Sequence, residues 1–142
     1  MTAVLSVALR VAGAGLLLLA IAHVPIARQL RWREEAARLS AANAAIFHVH
    51  TLFICAMLVL MGLPALLAPE LFIVPSRAGA WLAWSFAAMW GLRLYVQWFV
   101  FPQHLWRGKA FETAMHLLFT VIWSGLTALF VVCGLVQAGR LQ

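Results

Sequence analysis

Apolar residues run through this chain in four long stretches, separated by short breaks that carry the charges and prolines. The first stretch takes in Arg10 and closes near His23 and Pro25. The second is uncharged through its first twenty residues and continues past Pro64. The third carries one charge, Arg93, and stops at Pro102, and the fourth carries none after Glu112. A helix needs about 20 apolar residues to cross a bilayer, so the pattern predicts spans at about 4–26, 44–67, 78–101 and 112–136. The first stretch is read as a span and not as a cleaved leader. A leader has an apolar core of about 7–15 residues with a small-residue cleavage site after it, whereas His23, Pro25 and a basic segment follow here.

Between the first two spans, residues 29–42 mix Arg31, Arg33, Glu34, Glu35 and Arg38 with Leu30, Trp32, Ala36 and Leu39. That is the composition of an amphipathic helix lying in the membrane interface, and a solvated connecting helix fits the same residues. Ser40 is placed to cap the second span. The fold expected is an all-α integral membrane protein: one four-transmembrane-helix bundle over 1–142, with a short interfacial helix between spans one and two. On span three, Gly79, Ala83, Ala87 and Gly91 recur every four positions, a close-packing stripe of the small-residue kind.

Composition narrows the class. Of 142 residues, 65% are apolar and 10% charged, whereas soluble domains run near half apolar and a quarter charged. A soluble globular domain, a disordered chain, a disulfide-stapled secreted module and a nucleic-acid reader all need polar surface that this chain lacks, so its partner is the lipid bilayer and not nucleic acid. The net charge of +6 is read as topology. Arg28, Arg31, Arg33, Arg38, Arg107 and Lys109 flank the connections after spans one and three, against Arg10, Arg77 and Arg140 on the other side. The positive-inside rule then predicts a multi-pass plasma (inner) membrane protein with both termini outside and those two connections cytoplasmic. Cys55 and Cys133 fall at depths too different for a disulfide and are expected as free thiols.

The topology brings scattered polar residues to similar depths in the cytoplasmic half. His23 ends span one, His48 and His50 open span two, Arg93 and Gln97 lie near the end of span three, and Glu112 and His116 open span four. Arg93 and Gln97 share a helix face at i, i+4, as do Glu112 and His116. His48 and His50, at i, i+2, point about 200° apart and cannot both face one interior point on a regular helix. Ionisable groups within spans are costly unless paired and so are functional candidates.

Two chemistries follow from this set. His48, His50, His116, Glu112 and His23 offer a mixed nitrogen and oxygen site for iron, zinc or copper, or axial ligands for haem b. Arg93 and Gln97 offer an anion site for a substrate carboxylate, lipid phosphate or haem propionate. Arg93 snorkelling to the interface, or pairing with Glu112 as a packing lock, is the structural alternative. His104, in the loop beside Pro102, is peripheral, an outer ligand or proton carrier at most. Three functions stay open: a metal- or haem-binding membrane oxidoreductase or electron-transfer protein; a non-catalytic accessory or assembly subunit of a larger membrane complex; and a small anion- or lipid-binding, transporter-like protein, acting as a homo-oligomer. No phosphate-binding glycine loop, nucleophile elbow, zinc-protease motif or Cys-x-x-Cys pair is present.

Overall fold

The computed structural model describes residues 1–140. All regular structure among them is helical. In chain order the elements are α1 (Thr2–Gln29), α2 (Trp32–Ala36), α3 (Ala41–Leu67), α4 (Glu70–Ile73), α5 (Arg77–Tyr95) and α6 (Ala110–Gln137). A π-helical turn at Val96–Val100 continues α5, and a 3₁₀ turn at Gln103–Leu105 lies in the connection to α6. Three of these helices, α1, α3 and α6, are long and apolar enough to cross a membrane. They and α5 lie over the four predicted stretches. Helix α5 is shorter, at 19 residues, and contains Arg77, Arg93 and three tryptophans.

Two prolines sit inside helices that run on beyond them. Helix α1 passes Pro25 to Gln29, and α3 passes Pro64 to Leu67, beyond both prolines as the predicted spans are. The helix expected over 29–42 shrinks to the five residues of α2. Arg31 takes the left-handed conformation (φ 51°) and breaks the chain out of α1. Ser40 then starts α3 by accepting a hydrogen bond from the Asn43 amide at 3.3 Å, the predicted cap. One turn and a half of helix cannot present a continuous apolar stripe. The ion pairs beside it, Arg31 to Glu34 and Arg38 to Glu35, are solvent-exposed.

The chain divides into two compact units, Leu9–Pro69 and Met1–Ala8 with Glu70–Gln142. In the first, α1 and α3 approach where Gly13 lies against the backbone of Gly62 and Leu66. Arg10, which interrupts the first apolar run, donates from Nη1 to the Leu66 carbonyl at 2.9 Å. It thereby covers one of the carbonyls that the end of α3 leaves without a helical partner, where the helix dipole also favours a cation. Toward the other end of these helices, Trp32 packs edge-on against His23 (6.4 Å) and Phe47 (5.6 Å).

In the second unit α5 and α6 run antiparallel: Gly79 abuts Gln137, Trp84 abuts Gly134, Gly91 abuts Thr127, and Gln97 bonds His116. Gly79, Ala83 and Ala87 of the small-residue stripe are buried in this pair, which lets the helices come close. Phe72, Phe86 and Phe130 form the aromatic core, with ring centroids 5.0–5.5 Å apart. Gln137 ties the connection before α5 to the last turn of α6. Its side-chain oxygen accepts from the Ser76 amide at 2.8 Å, and its Nε2 donates to the carbonyls of Val74 (2.9 Å) and Leu71 (3.2 Å). Cys55 and Cys133 are both free thiols.

Candidate anion site at the end of α5 and the start of α6

The polar residues that come together in the second unit are Arg93, Gln97 and His116. Helical spacing puts Arg93 one turn before Gln97, and the π turn that begins at Val96 carries Gln97 inward, 4% exposed. Single π turns inside helices are frequent at functional sites. Arg93 Nη1 donates to Gln97 Oε1 at 3.1 Å, and Gln97 Nε2 lies 2.8 Å from His116 Nδ1. The same Nε2 is 3.4 Å from the His116 backbone carbonyl.

Aromatic rings enclose the three. Trp106, from the connection before α6, stacks on the His116 ring with centroids 4.1 Å apart and planes 8° from parallel. Thr113 holds that loop by donating to the Trp106 carbonyl at 2.7 Å. The Arg93 guanidinium lies over Trp123, its Cζ 5.1 Å from the ring centroid, a cation–π contact. Trp123 in turn stacks on Trp90 (5.0 Å, 11°) and Phe119 (5.4 Å, 16°). The indole nitrogens of Trp90, Trp106 and Trp123 are buried without a hydrogen-bond acceptor. The neighbourhood of Arg93 is therefore rich in donors and poor in acceptors.

Among the described residues, no carboxylate answers Arg93. The ion pairs found there are both on the exposed segment around α2, and Glu112 is exposed, away from the lock with Arg93 that the sequence allows. Guanidinium carries five N–H donors, and the hydrogen bond to Gln97 is the one that Arg93 makes among the described residues.

The other residues singled out in the sequence do not assemble. Among the described residues, no three of histidine, cysteine, aspartate and glutamate stand together as a set that could hold a metal ion. His48, His50, His104 and Glu112 are exposed, and His23 is half-buried beside Trp32. His48 packs against Phe47 (5.6 Å), whereas His50 turns Nδ1 to the Ile46 carbonyl at 2.8 Å, as the i, i+2 spacing requires. His23 likewise turns Nδ1 to the Leu19 carbonyl at 2.7 Å. His104 lies in the 3₁₀ turn and makes no side-chain hydrogen bond among the described residues. Sequence reasoning missed Trp106, which has no helical spacing to His116 and reaches it through the loop fold.

No family model, curated protein or solved structure matches the chain. Its apolar helices suit the chain to a lipid bilayer.

Proposed function

We propose that this is a small membrane protein that binds an oxyanion, a phosphate or carboxylate group, through Arg93. In this reading α5 with its π turn is a fourth span, and the connections around Trp32 and Trp106 are cytoplasmic, where six of the basic residues lie. The observation that carries the reading is the state of Arg93: a guanidinium in an apolar helix, held by Gln97 and Trp123, with no carboxylate partner among the described residues. A charge in such a place is costly unless compensated, and guanidinium matches phosphate and carboxylate with paired donors. Trp98, Phe99 and Phe101 are exposed on the same end of the chain, as aromatic residues are at a membrane–water interface. A lipid headgroup and a soluble anion carry the same recognisable group.

Native mass spectrometry of the protein from phosphatidylcholine nanodiscs containing phosphatidylglycerol tests this, with glycerophosphoglycerol, the deacylated headgroup, as the soluble arm. Retained phosphatidylglycerol identifies a lipid ligand, and retained glycerophosphoglycerol a soluble one. A hydrogen bond to a charged group contributes about 1.5–3 kcal/mol, so Arg93→Ala is expected to weaken binding of the retained ligand about 10–100-fold. Equal retention by wild type and variant would refute the reading.

One observation favours a second reading, a metal- or haem-binding oxidoreductase. His23 and His50 turn Nδ1 to backbone carbonyls, an orientation that leaves Nε2 free to ligate. Element-resolved mass spectrometry of untagged protein in mild detergent tests it: near-stoichiometric iron, copper or zinc, lost on alanine substitution of His50, would support it.

A further inference from the structure

We infer that Gln97 is a positioning residue that decides which nitrogen of His116 carries the proton, and so makes the site a set of donors selective for ligands that only accept. The inference rests on the oxyanion reading of Arg93 and names what that anion meets beside it.

The two ends of the Gln97 side-chain amide meet different neighbours. Arginine has donors and no acceptor, so the amide atom 3.1 Å from Arg93 Nη1 must be the carbonyl oxygen. The other amide atom lies 3.4 Å from the His116 backbone carbonyl, which only accepts. That atom must be the NH2 group. Two independent neighbours thus give the amide the same orientation, and a flip would set donor against donor at Arg93 and acceptor against acceptor at the carbonyl.

With the amide so oriented, its N–H points at His116 Nδ1 from 2.8 Å. Nδ1 must then accept, and the proton of the neutral ring is on Nε2. The parallel stack of Trp106 on the ring holds its plane. His116 Nε2–H has no acceptor among the described residues. It joins the unused N–H groups of Arg93, while the indole N–H groups of Trp106 and Trp123, also without acceptors, are covered by the protein. A ligand at Arg93 and His116 meets hydrogen-bond donors, and the Gln97 side-chain oxygen beside them already accepts from Arg93. A deprotonated phosphodiester or carboxylate satisfies them, and an amine or a metal cation does not. The same proton keeps Nε2 from acting as a metal ligand.

The tautomer is directly observable. In protein labelled with nitrogen-15 histidine and held at alkaline pH, the nitrogen NMR spectrum separates protonated from bare ring nitrogens. Subtraction of the His116→Gln spectrum assigns the signals. The wild type is expected to show bare Nδ1 and protonated Nε2 at His116. In Gln97→Glu the new carboxylate accepts from both Arg93 and His116, so Nδ1 becomes protonated and Arg93 gains an internal ion pair. Phosphatidylglycerol retention should then fall about tenfold or more.

A protonated Nδ1 at His116 of the wild type overturns the inference whatever the anion affinity, and this result does not depend on Gln97→Glu folding. An unchanged His116 tautomer in folded Gln97→Glu also overturns it. The expected tautomer together with phosphatidylglycerol and glycerophosphoglycerol binding indifferent to Arg93→Ala upholds the positioning role and overturns the oxyanion reading instead.

Discussion

Gly13 and Gly15 lie two residues apart on α1, and alanine is expected to act in opposite directions at the two. A Cβ at Gly13 would fall 2.5 Å from the Leu66 backbone nitrogen, 2.6 Å from the Gly62 carbonyl oxygen and 2.9 Å from the Leu66 Cβ. At Gly15 it would meet nothing within 4 Å. The two nearest obstructing atoms at Gly13 are backbone, so no change of rotamer clears them. Ordinary contact begins at 3.4 Å, and α1 and α3 must part by about 0.9 Å to reach it. A gap of about 0.5–1 Å forfeits roughly a quarter to a half of the dispersion attraction across a contact, and overpacking of this kind costs about 1–3 kcal/mol.

Alanine offsets that by at most about 1 kcal/mol of helix propensity. The net expectation is a loss of about 1–2 kcal/mol for Gly13→Ala, and a change between zero and a gain of about 1 kcal/mol for Gly15→Ala. In a chain of this size about 1 kcal/mol moves Tm by roughly 2–4 °C. Thermal unfolding in mild detergent, followed by tryptophan fluorescence, should therefore place Gly13→Ala roughly 2–8 °C below wild type. Equal melting of the two variants, or a Gly13→Ala protein as stable as wild type, would refute the close crossing of α1 and α3 at this point.

Other substitutions test other parts of the structure. Gln137→Leu strips partners from the Ser76 amide and from the Leu71 and Val74 carbonyls; with water reaching part of this connection, a loss of about 2–3 kcal/mol is expected, read as a lowered Tm and as faster protease cleavage between α4 and α5. Gly134→Ala sets a Cβ 2.6 Å from the Trp84 ring, so it should destabilise by about 1–3 kcal/mol, and the double variant with Trp84→Leu should recover most of the loss. Arg10→Leu removes the donor to the Leu66 carbonyl and should lower stability by about 1 kcal/mol, whereas Arg10→Lys, which keeps the charge near the end of α3, should lose less; equal losses would mean that the charge contributes nothing there.

The helices were legible in the sequence because their ends are marked by charges, prolines and caps. The observed bounds of α1, α3 and α6 lie within three residues of the predicted spans at every end. Ser40 could be read as a cap from its place before an apolar run, and it is one. The connecting helix is shorter than its composition suggests. The break at Arg31 is a backbone conformation that composition does not reveal. Pro25 and Pro64 lie inside the predicted spans and inside α1 and α3: a proline costs one helical hydrogen bond, which an apolar helix tolerates where neighbouring groups take up the freed carbonyl.

At the site, depth was legible and rotation was not. Arg93 and Gln97 share a face by spacing, and His116 lies at their depth, so the order of spans and breaks is enough to gather these three. Among the described residues the wider histidine set does not gather, and i, i+2 spacing parts His48 from His50. Glu112, on the same face of α6 as His116 but one turn before it, is exposed, and His116 is the one that meets Gln97. Nothing in the spacing announces the π turn at Val96–Val100 or the fold of the loop that lays Trp106 on His116.

An oxyanion seated on Arg93 is measured most directly as a distance. Protein with guanidinium-labelled arginine, reconstituted with the phosphatidylglycerol it retains, can be examined by phosphorus–nitrogen dipolar recoupling in the solid state. Wild type is expected to show a guanidinium nitrogen about 4 Å from phosphorus, the separation of a charge-assisted hydrogen bond to a phosphate oxygen, and Arg93→Lys should lose that signal. A spectrum with lipid bound and the same recoupling in both proteins would place the phosphate elsewhere and contradict the account.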